Sequence, residues 1–119
     1  INKALTTSLL VCLALTTSCY YDAVVGPELP DGPISYTTDV QPYFDSKCVS
    51  CHNGSGVPLN LDASVAYDNL LNGNYVNIAD PSTSLLYTKV AAGGSMEPYS
   101  SATETAMILQ WIEEGAENN

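Results

Sequence analysis

Cys48-Val49-Ser50-Cys51-His52 constrains this chain more than any other stretch, because the pentapeptide contains the only histidine in 119 residues. C-x-x-C-H is the spacing by which a haem is attached covalently to a polypeptide. Two thiols three positions apart reach two vinyl groups along one porphyrin edge, and the imidazole that follows lies under the iron. With this composition the pattern arises by chance in roughly one such chain in a thousand. A disulfide between Cys48 and Cys51 is the competing fate in an oxidising compartment, and the adjacent His52 favours the haem.

The segment Lys3 to Cys19 (KALTTSLLVCLALTTSC) opens on a positive charge, runs through an apolar stretch from Leu5 to Leu15 and ends on small residues before a cysteine. It is shorter than the about 20 apolar residues a permanent membrane helix needs, so residues 1–18 are expected to be an export signal of lipoprotein type. Cys19 after Thr16-Thr17-Ser18 resembles the lipidated cysteine of bacterial lipoproteins, although Thr16 stands where that motif usually has Leu. Plain secretion, or a disulfide at Cys19, are the alternatives. Cys12 reads as a small hydrophobe within the apolar run. Residues 19–35, with three prolines and two glycines in Tyr20–Ser35 and no apolar period, read as a lipid-anchored linker reaching about 50 Å when extended. Residues 36–119 form the expected folded domain.

The formal net charge of −10 excludes nucleic acid as a partner, and loss of Lys3 with the signal leaves only Lys47 and Lys89 as basic side chains. So acidic a protein is steered toward partners with basic or mixed surfaces, an attraction that salt weakens. From Tyr36 to Ala116 the domain has about 80 residues, few for a self-sufficient core, so a buried porphyrin would supply missing apolar volume and couple haem to folding.

Helix signals recur through the domain, and no segment alternates as a strand. Thr38-x-x-Gln41 has capping-box form, with Asp39 at a helix start and Pro42 in the first turn, which predicts a helix over about 39–48 that delivers the cysteines. Ala63 to Asn72, stopping at Gly73, predicts a second with a glycine C-cap. Asp80-Pro81-Ser82 starts a third, with Leu85, Leu86, Lys89 and Val90 before Gly93-Gly94. Thr103 to Glu114 predicts a fourth, its apolar residues Met107, Ile108, Trp111 and Ile112 spaced along one face.

An iron held by His52 has a sixth position. Without a second histidine, only Met96 and Met107 offer a thioether. Met96 lies in the flexible run Ala91–Pro98 and is the expected distal ligand; Met107, mid-helix beside Trp111, reads as core packing. An open sixth site would instead suit a peroxidase or gas sensor, though peroxidase chemistry wants a distal acid–base group, typically a histidine, and no second histidine remains after His52. A thiol–disulfide or zinc module is the further alternative, and zinc generally wants four ligands.

Taken together, Tyr36–Pro42 leading into Cys48–His52, then Asp80-Pro81-x-x-Ser84-Leu85-Leu86-Tyr87, Met96 and Trp111-Ile112-Glu113-Glu114-Gly115-Ala116 resemble a small class I cytochrome c, more narrowly the planctomycete-type cytochrome c domains of bacterial respiratory and sugar-oxidising systems. The resemblance implies an all-α cytochrome c fold: about four short helices around one covalently bound haem c, with the first and last helices crossing near Phe44 and Trp111. It implies an electron-transfer protein, not an enzyme, passing single electrons between redox partner proteins without a small-molecule substrate, on the exported side of a bacterial membrane. That family usually reads Met-Pro-Pro; here Glu97 separates Met96 from Pro98, and its carboxylate is expected near the iron edge, lowering the potential. Trp111 reads as packing before electron conduit, and the many tyrosines as burial against the porphyrin.

Overall fold

Ser35 and Asp39 close the first helical turn on each other. The Ser35 hydroxyl accepts from the Thr38 N–H at 3.3 Å, and the Asp39 carboxylate accepts from the Ser35 N–H at 2.8 Å. This reciprocal cap, in a computed structural model that describes residues 26–119, lies three residues before the expected Thr38–Gln41 box. The expected export signal and Cys19 lie outside the described residues. The turn so started is a wide, π-type one over Tyr36–Val40, and it runs directly into helix α1, Gln41–Lys47. Pro42 falls in the first turn of α1, directly after the π-type turn, so its missing N–H interrupts the ladder where the two meet.

Gln41 is not a cap. It is buried, accepts from the Tyr36 hydroxyl at 2.7 Å, and donates to Asp45 at 2.8 Å and to the Leu61 carbonyl at 3.2 Å. A buried amide is tolerated only with partners for both its ends, and here both are met.

Three further helices follow: α2, Ala66–Asn72; α3, Leu85–Val90; and α4, Ala102–Glu113. Among the described residues there is no strand, and no helix is long and apolar enough to cross a membrane. The start of α2 falls three residues later than expected because Asp62 takes the preceding turn for itself, its carboxylate accepting from the Ser64 N–H and hydroxyl. Gly73 ends α2 without a left-handed conformation, at φ −83°, and Asn74 takes the positive φ of 58° instead. What demands glycine is space: a Cβ at 73 would come within 2.6 Å of the Asn69 carbonyl oxygen and of the Tyr75 ring. Helix α4 opens with a full capping box, Ser101 accepting from the Glu104 N–H at 3.1 Å and Glu104 from the Ser101 N–H at 2.7 Å.

The apolar face of α4 is the floor of the core. Met107, Ile108, Trp111 and Ile112 are all buried, as their spacing predicts. Trp111 packs 5.4 Å from the Tyr36 ring and 6.3 Å from Tyr67, while Tyr36 and Tyr67 meet edge-on at 5.1 Å. The first and last helical segments therefore meet through Tyr36, about two turns before the expected Phe44, whose ring lies beside Tyr43 at 5.5 Å. Their polar ends are tied to the C-terminal segment: Trp111 Nε1 donates to the Glu117 carbonyl at 3.0 Å and the Tyr67 hydroxyl to that of Ala116 at 2.9 Å. Asn119 reaches back to accept from the Tyr36 and Thr37 N–H groups, each at 2.9 Å. Ile34 is 2 % exposed and its N–H donates to Glu114 at 2.7 Å, so the folded domain begins before residue 36, inside the expected linker.

Candidate functional site

The hydrogen-bond ladder of α1 continues into the pentapeptide. The Cys48 and Val49 N–H groups both donate to the Phe44 carbonyl, at 2.8 and 2.9 Å, and those of Cys51 and His52 to the Cys48 carbonyl, at 3.1 and 2.8 Å. Residues 48 and 51, three apart on this turn, present their thiols to the same side. Both are free, Cys48 half-buried and Cys51 exposed. Burial pushes the Cys48 thiol up, with a hydrogen bond from Tyr43 partly opposing it. That is the wrong direction for a reactive thiolate, which needs a lowered value.

His52 is held by the loop that follows it. Its Nδ1 lies 3.0 Å from the Pro58 carbonyl and 3.0 Å from that of Leu59. Carbonyls only accept, so Nδ1 carries the proton and Nε2 keeps a free lone pair. Leu59 adopts φ 69°, a left-handed conformation that costs a bulky residue energy and that accompanies the convergence of both carbonyls on one ring nitrogen. The Leu61 N–H closes the loop on the His52 carbonyl at 2.8 Å.

His52, both cysteines and Met96 line one cleft of about 440 Å³, together with Phe44 and Leu86. Its walls are mainly apolar. Five large hydrophobic residues are exposed among the described residues, and three of them, Val57 at 42 %, Leu85 at 42 % and Tyr99 at 57 %, line this cleft. Apolar surface left to water costs about 25 cal/mol per Å², so these walls suit a large apolar occupant.

Met96 arrives from a tightly folded loop. Gly93 takes φ +83°, and a Cβ at Gly94 would overlap the carbonyl oxygens of Thr88 and Lys89. This close approach lets the Met96 N–H donate to the Lys89 carbonyl at 2.8 Å, fastening the loop to the end of α3. The Glu97 carboxylate accepts from the Gly93 N–H at 2.8 Å. Glu97 is exposed and does not line the cleft, so the expected placement of its charge at the iron edge gives way to a clasp within the loop. Met107 is 8 % exposed in the core and is not on the cleft wall.

Pro58 and Leu59 are the functional residues that the motif did not reveal. A proline six positions after the histidine was visible, but which carbonyls would turn toward the ring depends on the path of the loop. Tyr43, hydrogen-bonded to Ser100 and lining the cleft beside Cys48, was likewise legible only as one tyrosine among several. Burial holds its phenol well above the usual range, so it remains a neutral donor.

The donor set fits a porphyrin iron: one oriented imidazole with a free Nε2, one thioether, and two thiols on a helical turn, all facing apolar walls. It fits a bare metal ion poorly, since among the described residues no three His, Cys, Asp or Glu side chains come together as ligands. Compared with family models, with curated proteins and with solved structures, the chain matches none of them.

Proposed function

We propose that this chain is a single-haem c-type cytochrome of class I type that transfers one electron at a time between redox partner proteins, exported and held at a bacterial membrane through lipid on Cys19. The observation that carries this reading is the His52 ring: its Nδ1–H is committed to the Pro58 and Leu59 carbonyls while its Nε2 is free, on the wall of an apolar cleft shared with Cys48, Cys51 and Met96.

The residues divide the work. Cys48 and Cys51 would add their thiols to the two vinyl groups and make the attachment permanent. His52 would hold the iron from one side, with the two carbonyls fixing the ring plane and making the imidazole a stronger donor. Met96 would supply a second bond to the iron, and a thioether ligand raises the reduction potential relative to a second imidazole. Leu61, Leu86 and Val90 would keep water from the iron, so little solvent has to reorganise when the charge changes. When bound, the haem iron supplies a reversible ferrous–ferric couple. Among the described residues no three ligating side chains converge, which leaves a zinc module short of ligands.

The test is a pyridine haemochrome assay with a reduced-minus-oxidised spectrum on protein exported and matured in a bacterium that attaches haem. One covalently bound, low-spin haem per chain is expected, with a far-red sulfur-to-iron band in the oxidised form. Colourless but compactly folded protein would overturn the reading.

A further inference from the structure

Tyr43 does more than fill space. Its side chain is 5 % exposed and its ring packs beside Phe44, a task that a phenylalanine would do as well. The hydroxyl is what a phenylalanine lacks, and it is hydrogen-bonded to Ser100, 57 residues further along the chain. Among the described residues this is the one hydrogen bond that joins α1 and the Cys48–His52 turn to the segment carrying Met96.

Ser100 is closely coupled to Met96. The Tyr99 N–H donates to the Met96 carbonyl and the Ser100 N–H to the Glu97 carbonyl, both at 3.0 Å, so residues 96–100 form a single tight turn. Behind that turn the Met96 N–H is fastened to Lys89 at the end of α3, and ahead of it Ser101 opens α4. Neither anchor refers the Met96 sulfur to the segment that holds the thiols and the imidazole. The bond from Tyr43 to Ser100 does. The same phenol also hydrogen-bonds Cys48, and one hydroxyl can accept from Ser100 while donating to the Cys48 sulfur.

We propose that Tyr43 is a positioning residue: its hydroxyl, bonded to Ser100, ties the Met96 turn to the helix that presents Cys48 and so keeps the Met96 sulfur on the iron when the iron is ferric. The proposal rests on the haem reading above and adds to it the device that preserves the ligand set. Such a device matters most in one oxidation state. A thioether is a soft donor and holds ferric iron less firmly than ferrous, so the ligand is at risk each time an electron has left. A turn tied at both ends has less conformational freedom to gain on release, which keeps the sulfur close to its place.

The experiment uses the haem-loaded protein. Haem content and the far-red sulfur band of the oxidised parent are measured first; a colourless parent, or one without that band, defeats the haem or the Met96 reading itself, and this inference with it, before any variant is compared. Imidazole is then mixed with the ferric protein by stopped flow, and the rate at saturating imidazole, which release of the Met96 sulfur limits, is compared among Tyr43→Phe, Ser100→Ala and the double variant. Each single substitution is expected to raise that rate about fivefold, the effect of one net hydrogen bond, and the double variant no further than either. Ser100→Thr, which keeps a hydroxyl, is expected to behave as the parent. Amide hydrogen exchange on the same proteins separates positioning from packing: exchange at Met96, Tyr99 and Ser100 should quicken in Tyr43→Phe, and that of the Ala116 N–H, bonded to the Trp111 carbonyl, should not. Unchanged release rates, additive effects of the two substitutions, a Ser100→Thr protein as fast as Ser100→Ala, or faster exchange throughout the domain would each overturn the proposal, the last by making the hydroxyl an ordinary core contact.

Discussion

Two regions of this small domain solve the same problem in opposite ways. At the corner formed by Tyr36, Tyr67 and Trp111, aromatic rings fill the interior, each polar atom has a protein partner, and the C-terminal segment closes over them. At the cleft, Val57, Leu85 and Tyr99 remain exposed beside an imidazole whose Nε2 has no carbonyl assigned to it. The corner is complete with its own side chains, whereas the cleft has walls and no filling. One short chain can do both because its covalent and axial donors, Cys48, Cys51, His52 and Met96, are gathered on the cleft wall, leaving the corner free to be ordinary core.

The strongest way to break that contrast is to remove the attachment. Cys48→Ala with Cys51→Ala is expected to abolish covalent haem, read as loss of haem-stained protein on a denaturing gel, and to lower helical content in far-UV circular dichroism. A variant that stays as helical as the parent would show that the corner alone sustains the fold. Trp111→Ala attacks the corner: truncating a fully buried aromatic there should cost about 3–5 kcal/mol, measured as a lower denaturation midpoint in protein that retains its haem.

Met96→Ala separates filling from ligation. A high-spin or ligand-accepting iron and a lower potential are expected at nearly unchanged stability; an unaltered spectrum would take the axial role away from Met96. The corner also carries a pH signature. Burial holds the Tyr36 phenol well above its ordinary value, with lesser contributions from Asp45, Tyr67 and Asp68. The folded state therefore keeps the phenolic proton to higher pH than the unfolded chain. The stability tied to that proton is fully present below about pH 10 and is lost as pH rises beyond it. Denaturation midpoints should fall above that pH, less steeply in Tyr36→Phe than in the parent. The smallest effect belongs to the Met96 loop: Glu97→Ala should destabilise by about 1 kcal/mol and weaken the far-red sulfur band. Glu97→Gln, which keeps an acceptor for the Gly93 N–H, should restore both.

The helical content, the number of helices and the buried face of α4 were all legible, because periodicity and the glycine and proline breaks are local properties. Where expectation and structure part, a longer-range contact is the reason. Ser35 rather than Thr38 caps the first turn because Gln41 is drawn into the interior by Tyr36 and Leu61. Ile34 leaves the linker because Glu114, 80 residues away, accepts its N–H. Glu97 turns away from the cleft because the unsatisfied Gly93 N–H lies within its reach.

By itself the order of residues determined the chemistry on offer: two thiols and an imidazole at a spacing only a helical turn makes useful, a thioether after a glycine pair, and a surface short of positive charge. The tertiary structure decided which nitrogen of His52 is free, which carbonyls hold its neighbour, and that Tyr43 finds Ser100. Spacing along a chain sets which atoms can meet within a turn; orientation and the pairing of distant side chains depend on segments tens of residues apart, and those are settled only when the core packs.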